Sequence, residues 1–447
     1  MALGIPVFAL TSYRFKIQAM APKRREFIQL SSKGLLLAPF IPPLMHQMSG
    51  PTAKSSTSNA SQPVTIMADE PNLIGPYGPW AAAHQDQGLP SFSFRSNTWN
   101  DLADWKKKAH AQLVSRLGIP ALGETPAVTV DQIYDYDGLH IEALSWQLPY
   151  GRPTKALLLK PANAQGRLPG ILAFHDHGGN KYFGVRKITR IPGRRHPDMG
   201  AHQQEYYEGR AWANELAKRG YVVLVSDAFT FASRRVWMQD VPEHLRNGLT
   251  DDEPENSIDI AAYNQWAGEH EHIMAKSLFS AGMTWPGVFF AEDRVALDIL
   301  AARPDVDPDR LGCGGLSGGG LRTDFMAGLD DRIKCSVTVG FMSTWRDFIL
   351  NKSYTHTWMT YVPLLPTELD FPEILGLRVP QPTLVQSCEE DPLYTLPEMK
   401  RADEQLKAIF TKAGVADHYR TSFYPGGHQF GAAMQDEAFD WWDQWLK

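Results

Sequence analysis

The sequence predicts an α/β fold with a mostly parallel central sheet, helices on both faces and one long insertion. Short, continuous apolar runs recur along the chain, and segments with helical spacing separate them. Runs that are apolar at every position are typical of strands buried on both faces, and their alternation with helices favours parallel pairing. The predicted strands are 156–159, 170–174, 221–225, 311–314, 336–339, 383–385 and 421–424.

Bulk composition narrows the class of protein. The 447 residues are 43% hydrophobic and 21% charged, as expected of a soluble globular protein with a full core. The formal net charge of −6 gives no reason to expect nucleic acid as a partner. No uninterrupted apolar run is long enough to span a bilayer, so no stable membrane insertion is expected. Nothing in the composition indicates an oligomeric state.

The cysteines predict neither a disulfide framework nor a metal site. There are three, Cys313, Cys335 and Cys388, and each lies in or beside an apolar, strand-like run. An odd and sparse set in such positions is typical of buried thiols.

The N-terminal region has the pattern of an export signal. Basic residues at Lys23-Arg24-Arg25 precede the short apolar segment 34–41, as in twin-arginine signals. We therefore predict a signal over 1–48, with Met1 or Met20 as the start, and a periplasmic or secreted protein. Because no clear A-x-A cleavage site follows, an unstructured extension of a cytoplasmic protein is the alternative. The Ser-, Thr-, Asn- and Pro-rich segment that follows predicts a disordered linker over 49–80.

The main domain is predicted over 81–447. Within 95–150, helical spacing predicts a helix at 99–117, and Asp137-Gly138 between alternating segments predicts a hairpin. Further helices are predicted at 205–219 and 433–446. The insertion, 230–288, precedes the helix–strand unit that leads to the motif described next, and insertions of this size often build binding surfaces. Its tryptophans, Trp237, Trp266 and Trp285, fit core packing better than stacking on a sugar ring.

One motif predicts the chemistry. Gly315-Leu316-Ser317-Gly318-Gly319 fits G-x-S-x-G, in which a serine stands on a sharp turn between a strand and a helix. The positions two before and two after the serine must be small because the turn is tight. The turn exposes the hydroxyl and directs backbone N–H groups at a developing oxyanion. The pattern alone also fits a flexible glycine turn, but the flanking strand and helix favour a nucleophile.

A serine nucleophile needs a base and an acid, and both follow predicted strands. In this kind of fold the chain order is serine, then acid, then histidine. Asp391 follows strand 383–385, and His428 lies between glycines after strand 421–424. We predict His428 as the base and Asp391 as the acid, with Glu390 as the alternative because the carboxylates are adjacent in sequence.

The oxyanion would be bound by two backbone N–H groups. One is that of Gly318, directly after the serine. The other is expected in the loop His175-Asp176-His177-Gly178-Gly179, which follows strand 170–174. We predict the N–H of His177 as this donor and a bracing role for His175.

From about Trp99 to the C-terminus the chain resembles the α/β-hydrolase superfamily, and within it the acetyl xylan esterase-like branch near the dienelactone hydrolases. The resemblance lies in the segments 174–179, 293–307, 315–319 and 330–334 and in the loops of Asp391 and His428. It implies hydrolysis of carboxylic esters, often acetyl groups on polysaccharides, through an acyl-enzyme and without a cofactor. The expected partner is therefore a small-molecule or carbohydrate ester. Asp176 departs from the common His-Gly-x-Gly-Gly form of the family.

Three other functions compete. The segment 175–180 superficially resembles a metallo-β-lactamase metal loop, but the full H-x-H-x-D-H is absent. A serine peptidase of the oligopeptidase type shares the motif and the order of the triad, but the segment before Ile171 is too short for its propeller. A non-catalytic binding protein becomes attractive only if the triad is not assembled.

The basic segment 181–196 raises one further question. It holds Arg186, Lys187, Arg190, Arg194 and Arg195. A solvated loop is the favoured interpretation, and an electropositive rim for anionic substrates is the alternative.

Overall fold

The computed structural model describes residues 71–251 and 255–447. The predicted export signal and most of the predicted linker lie outside these residues. Within the predicted linker, helix α1 already begins at Tyr77 and runs to Gln85. Residues 77–80 of the predicted linker are therefore helical and not disordered.

Nine strands form a single sheet among the described residues, in the order β1-β2-β3-β5-β4-β6-β7-β8-β9. The first three strands pair antiparallel, and β3 pairs antiparallel with β5. All later neighbours pair parallel, as the apolar runs predicted. The strands are β1 (Thr129–Tyr136), β2 (Leu139–Trp146), β3 (Thr154–Pro161), β4 (Leu168–Phe174), β5 (Val222–Ser226), β6 (Val306–Leu316), β7 (Ile333–Val339), β8 (Thr383–Cys388) and β9 (Tyr419–Tyr424).

The predicted hairpin joins β1 to β2. Asp137 and Gly138 both have positive φ, 55° and 78°, as a two-residue turn between right-twisted strands requires. One face of β2 and β3 packs on the core, whereas β1 is mostly exposed at the edge of the sheet.

Helices cover both faces of the sheet, and two hydrophobic clusters lie between the helices and the strands. After α1, the helices are α2 (Leu102–Leu117), α3 (Pro197–Tyr207), α4 (Trp212–Lys218), α5 (Ser257–Ser280), α6 (Trp285–Ala301), α7 (Gly318–Leu329), α8 (Trp345–Asp347), α9 (Phe371–Gly376), α10 (Leu396–Lys412) and α11 (Ala432–Leu446). No described helix is both long enough and apolar enough to cross a membrane.

The predicted helix 205–219 is wrong in one respect, because the structure divides it into α3 and α4. Glu208 and Gly209 adopt positive φ, 50° and 78°, which ends α3. The side chain of Arg190 donates to the carbonyl of Gly209, so a tertiary contact stabilises the break. Helical spacing alone did not reveal it.

The insertion consists of short 3-10 turns followed by the long helix α5. Of its three tryptophans, Trp266 and Trp285 are buried, as predicted for core packing. Trp237 is half-buried, and its ring lies 3.6 Å from the guanidinium carbon of Arg235. The three cysteines are free and buried, as predicted.

Candidate active site

The predicted site residues meet at the carboxyl edge of the parallel strands. His175–Gly179 follow β4, Ser317 follows β6, Asp391 follows β8 and His428 follows β9. Parallel strands place the loops that follow them on one edge of the sheet, which is where open α/β sheets bind ligands. The segment 340–382, between β7 and β8, lies at the same edge and supplies a wall that the sequence analysis did not predict.

Ser317 stands on a strained turn between β6 and α7. Its φ and ψ are 59° and −119°, a combination that L residues rarely adopt. Its N–H donates to the carbonyl of Val339 at 2.9 Å, which holds the turn against β7. The flanking glycines are required by space, since a Cβ on Gly315 or Gly319 would lie 2.4 or 2.5 Å from the carbonyl oxygen of Phe174. The motif therefore has the strand–turn–helix context that a nucleophile elbow needs.

The structure brings Asp391, and not Glu390, to His428. Nδ1 of His428 lies 2.6 Å from Oδ2 of Asp391. Asp391 is buried, whereas Glu390 is exposed. Nε2 of His428 is buried and has no hydrogen-bond partner in the described part of the chain. His428 thus has one nitrogen fixed by a carboxylate and the other free to exchange a proton.

The two predicted oxyanion donors are neighbours. A Cβ on Gly318 would lie 3.0 Å from the backbone nitrogen of His177, so the two backbones are in close contact. Among the described residues, no acceptor binds the N–H of either one. Ser317, Gly318 and His177 line one cavity.

The side chain of His177 is held by the insertion. Gly179 N–H donates to Nδ1 of His177 at 3.0 Å, so Nδ1 is an acceptor and the ring proton is on Nε2. Nε2–H then donates to Oε1 of Glu271, in α5, at 3.0 Å. Burial lowers the pKa of His177, which keeps the ring neutral and this arrangement intact at neutral pH.

Glu271 connects three parts of the site. Besides His177, it accepts a salt bridge from Lys181 Nζ at 2.7 Å and a hydrogen bond from the N–H of Trp358 at 3.2 Å. Burial alone would raise the pKa of Glu271, but the contacts with His177 and Lys181 outweigh it and lower this pKa to about 2. No motif in the sequence pointed to Glu271, which lies among polar neighbours in the middle of a long helix.

Asp176, the departure from the family pattern, forms a buried polar cluster under the loop. Its carboxylate contacts the hydroxyl of Tyr207 and, at 3.0 Å, Nε2 of His202. Lys187 lies 3.7 Å from the same carboxylate, and its Nζ donates to the carbonyls of Asp176 and His177, both at 2.8 Å. Although burial would raise the pKa of Asp176, His202 and Lys187 hold it well below its usual range. This cluster fixes the backbone of the loop 175–179, which we call the oxyanion loop after the role predicted for it.

The ring of His175 contacts two backbone groups, which suits the bracing role predicted for it. Its Nε2 accepts from the N–H of Ala228 at 3.2 Å, and its Nδ1 contacts the carbonyl of Asp176 at 3.0 Å. Across the described residues, no group of three or more His, Cys, Asp and Glu side chains is arranged to hold a metal ion.

The basic segment 181–196 does not form a rim around the site. Lys187 is fully buried, contrary to the prediction of a solvated loop at that position. Of the other four predicted cations, Arg186 pairs with Glu255, Arg190 and Arg195 donate to Gln203, and Arg194 is exposed. Of the described residues that line the cavity, none is a lysine or an arginine.

The cavity over Ser317 has a volume of about 520 Å³. Its lining is largely apolar and includes Leu321, Phe341 and Met359. The segment 340–382 also contributes Thr355, His356 and Thr357 to the lining. Burial lowers the pKa of His356 to about 4, so its ring is neutral at neutral pH. One cavity thus brings together a serine, a histidine and the residues of the two predicted N–H donors.

The structure is similar to those of known esterases. A candidate acetyl xylan esterase from Bacteroides fragilis NCTC 9343 aligns over 80% of this chain and 84% of its own, with a TM-score of 0.57 and 17% identity. A glucuronoyl esterase from Solibacter usitatus aligns over 79% of this chain and 97% of its own, with a TM-score of 0.55 and 14% identity. The chain has the α/β-hydrolase fold. The resemblance seen in the sequence is confirmed at this level.

A relative in sequence aligns with this chain over most of its own length. YtaP of Bacillus subtilis (strain 168), named as a candidate hydrolase, is 28% identical over 309 residues, which are 68% of this chain and 88% of YtaP. No protein-family model matches the chain.

Proposed function

We propose that this protein is a serine esterase that removes an acyl group from a carbohydrate. The observation that carries the proposal is the 2.6 Å contact between His428 Nδ1 and Asp391, at a cavity that Ser317 lines from a strained strand-to-helix turn. A histidine whose Nδ1–H is held by a buried carboxylate is oriented to act as a general base through Nε2.

The first half-reaction forms an acyl-enzyme. Nε2 of His428 takes the proton of the Ser317 hydroxyl while Oγ bonds to the ester carbonyl carbon, and the carbonyl oxygen becomes an oxyanion. The N–H groups of Gly318 and His177 stabilise this charge, a contribution of about 10²–10³ in rate for one donor. When the intermediate collapses, the ester C–O bond breaks, and His428 gives its proton to the departing alcohol.

The second half-reaction hydrolyses the acyl-enzyme and regenerates the free enzyme. Water gives a proton to Nε2 of His428 and bonds to the acyl carbon, which forms a second oxyanion. The bond to Ser317 Oγ then breaks, Oγ regains a proton from His428, and the carboxylic acid leaves. These steps use side chains and backbone N–H groups of this chain and water.

The comparisons support a carbohydrate ester as the substrate. The similar structures include proteins named as acetyl xylan and glucuronoyl esterases. Their identities to this chain, 17% and 14%, support a shared fold, and we infer the substrate class from it. Among the described residues, the sheet is preceded by no propeller of the kind that oligopeptidases carry.

Hydrolysis of acetylated xylo-oligosaccharides by the purified protein, with release of acetate, tests the proposal. We expect turnover that Ser317→Ala reduces to background while its thermal unfolding stays cooperative. A folded wild-type protein that releases no acid from aryl acetates or acetylated sugars would overturn the proposal and favour a binding protein.

We also propose that the protein is exported. Support comes from the sequence of 1–48, which lies outside the described residues. Fractionation of the native cells, with sequencing of the mature N-terminus, tests this. A protein found in the cytoplasm with its N-terminus intact would contradict export.

A further inference from the structure

We propose that a groove beside the catalytic cavity binds the sugar chain on the alcohol side of the ester, and that it selects a neutral carbohydrate. The inference rests on the proposed function and names the substrate class more closely. The groove has a volume of about 490 Å³. Gly178, Gly179, Glu205 and Tyr206 line both the groove and the catalytic cavity, so one ligand can occupy the two together.

The position of the groove suits a leaving group. It extends from the oxyanion loop, across helix α3, to helix α5 of the insertion. Tyr206 stands between the two spaces, with its ring centroid 6.4 Å from that of His428. His428 is the residue that protonates the leaving alcohol in the proposed mechanism, so an alcohol at this point would continue into the groove.

The polar groups of the groove match a polyhydroxyl ligand, which needs both donors and acceptors. Oδ1 of Asn264 accepts from the N–H groups of Lys181 and Tyr182, both at 2.9 Å. This fixes the side chain and leaves its NH₂ group as a donor. Asp198 and Glu205 provide carboxylate acceptors, and Gln265 provides an amide.

The charge of the groove favours a neutral sugar over a uronate. Asp198 and Glu205 are its carboxylates, and no lysine or arginine is among the described residues that line either space. A substrate carboxylate beside Glu205 would meet a like charge, which costs binding energy. Two cations of the nearest basic segment are engaged elsewhere, since Arg186 pairs with Glu255 and Lys187 is buried under the loop 175–179.

Filling the groove tests whether it binds the substrate. Ala261→Trp in α5 and Ala201→Trp in α3 place an indole in the groove from opposite walls, and Ala111→Trp is the matched control on the exposed face of α2. The readout is the ratio of kcat/KM for acetylated xylotriose to kcat/KM for p-nitrophenyl acetate. We expect at least one folded groove variant to lower the ratio about tenfold or more, and Ala111→Trp to leave it within about twofold of the wild type. A ratio that both folded groove variants leave unchanged would overturn the inference.

A second experiment tests whether the groove selects a neutral sugar over a charged one. We expect the wild type to hydrolyse a neutral acetylated xylo-oligosaccharide about tenfold faster, by kcat/KM at low salt, than the same ester with a glucuronate substituent. Glu205→Gln should narrow this preference. A wild-type preference for the uronate-bearing ester would overturn the selection of a neutral sugar. If the wild type releases acetate from neither sugar nor p-nitrophenyl acetate, the proposed function itself fails.

Discussion

Nε2 of His177 donates to Oε1 of Glu271 over 3.0 Å, and this contact ties the oxyanion loop to the insertion. The second carboxylate oxygen accepts the N–H of Trp358, in the segment that forms another wall of the site. One buried carboxylate therefore sets the relative positions of a proposed oxyanion donor and a cavity wall. Glu271 acts through His177 and is a positioning residue.

Replacing Glu271 tests this role. We expect Glu271→Gln to lower kcat on p-nitrophenyl acetate roughly 10- to 100-fold with little change in KM, because a displaced donor weakens transition-state binding more than substrate binding. Glu269→Gln, on the exposed face of the same helix, is the matched control. Equal kinetics in the two variants would contradict the role of Glu271.

The ionisation of Glu271 predicts a pH dependence of stability. Its pKa is lowered to about 2 in the folded protein, against an ordinary value of 4.5. A carboxyl whose folded pKa is depressed stabilises the protein above its unfolded pKa, and this contribution, about 3 kcal/mol, is lost as the pH falls from about 4.5 to about 2. The difference in unfolding free energy between wild type and Glu271→Gln, from urea titrations, should shrink over that interval. A constant difference from pH 7 to pH 3 would show that Glu271 is not the titrating group.

Substituting the adjacent residues Glu390 and Asp391 tests which of them is the acid of the proposed triad. Asp391→Asn should lower kcat about 10³- to 10⁴-fold, because the amide no longer holds His428 in the tautomer with a free Nε2 lone pair. Glu390→Gln should stay within about twofold of the wild type, since this side chain is exposed. The reverse ranking of the two variants would assign the role to Glu390.

Gly340, after β7, supports His428 by leaving space for it. Its φ is +56°, and a Cβ there would lie 3.1 Å from Cε1 of His428. Gly340→Ala should therefore lower kcat as well as stability. Gly414→Ala is the control, because its φ is +77° but its Cβ would meet nothing within 4 Å. Both should lose about 1–2 kcal/mol of stability from backbone strain. An undiminished kcat in Gly340→Ala would refute the steric role.

Local patterns predicted much of the fold and the chemistry. Apolar runs located the parallel strands, Asp137-Gly138 located the hairpin, and the serine motif with its strand and helix located the elbow. Ser317, Asp391 and His428 each follow a strand of one sheet, as the order of motifs and apolar runs predicted.

The parts of the site that the sequence did not predict depend on contacts between segments that are far apart in the chain. Lys187 looks like a surface residue in a basic loop, yet it lies under the oxyanion loop because Asp176 and two carbonyls receive its ammonium group. Glu271 is 94 positions from His177, and no local pattern links them. The wall at 355–357 is irregular, so hydrophobic periodicity could not place it.

The central claim is that Ser317 is a nucleophile activated by His428. The most direct measurement is reaction of the folded protein with a fluorophosphonate probe, followed by mass spectrometry of the labelled peptide, with Ser317→Ala and heat-unfolded protein as controls. We predict stoichiometric label on Ser317, and its loss in both controls. A folded wild-type protein that stays unlabelled, or that carries the label on another residue, would contradict the account.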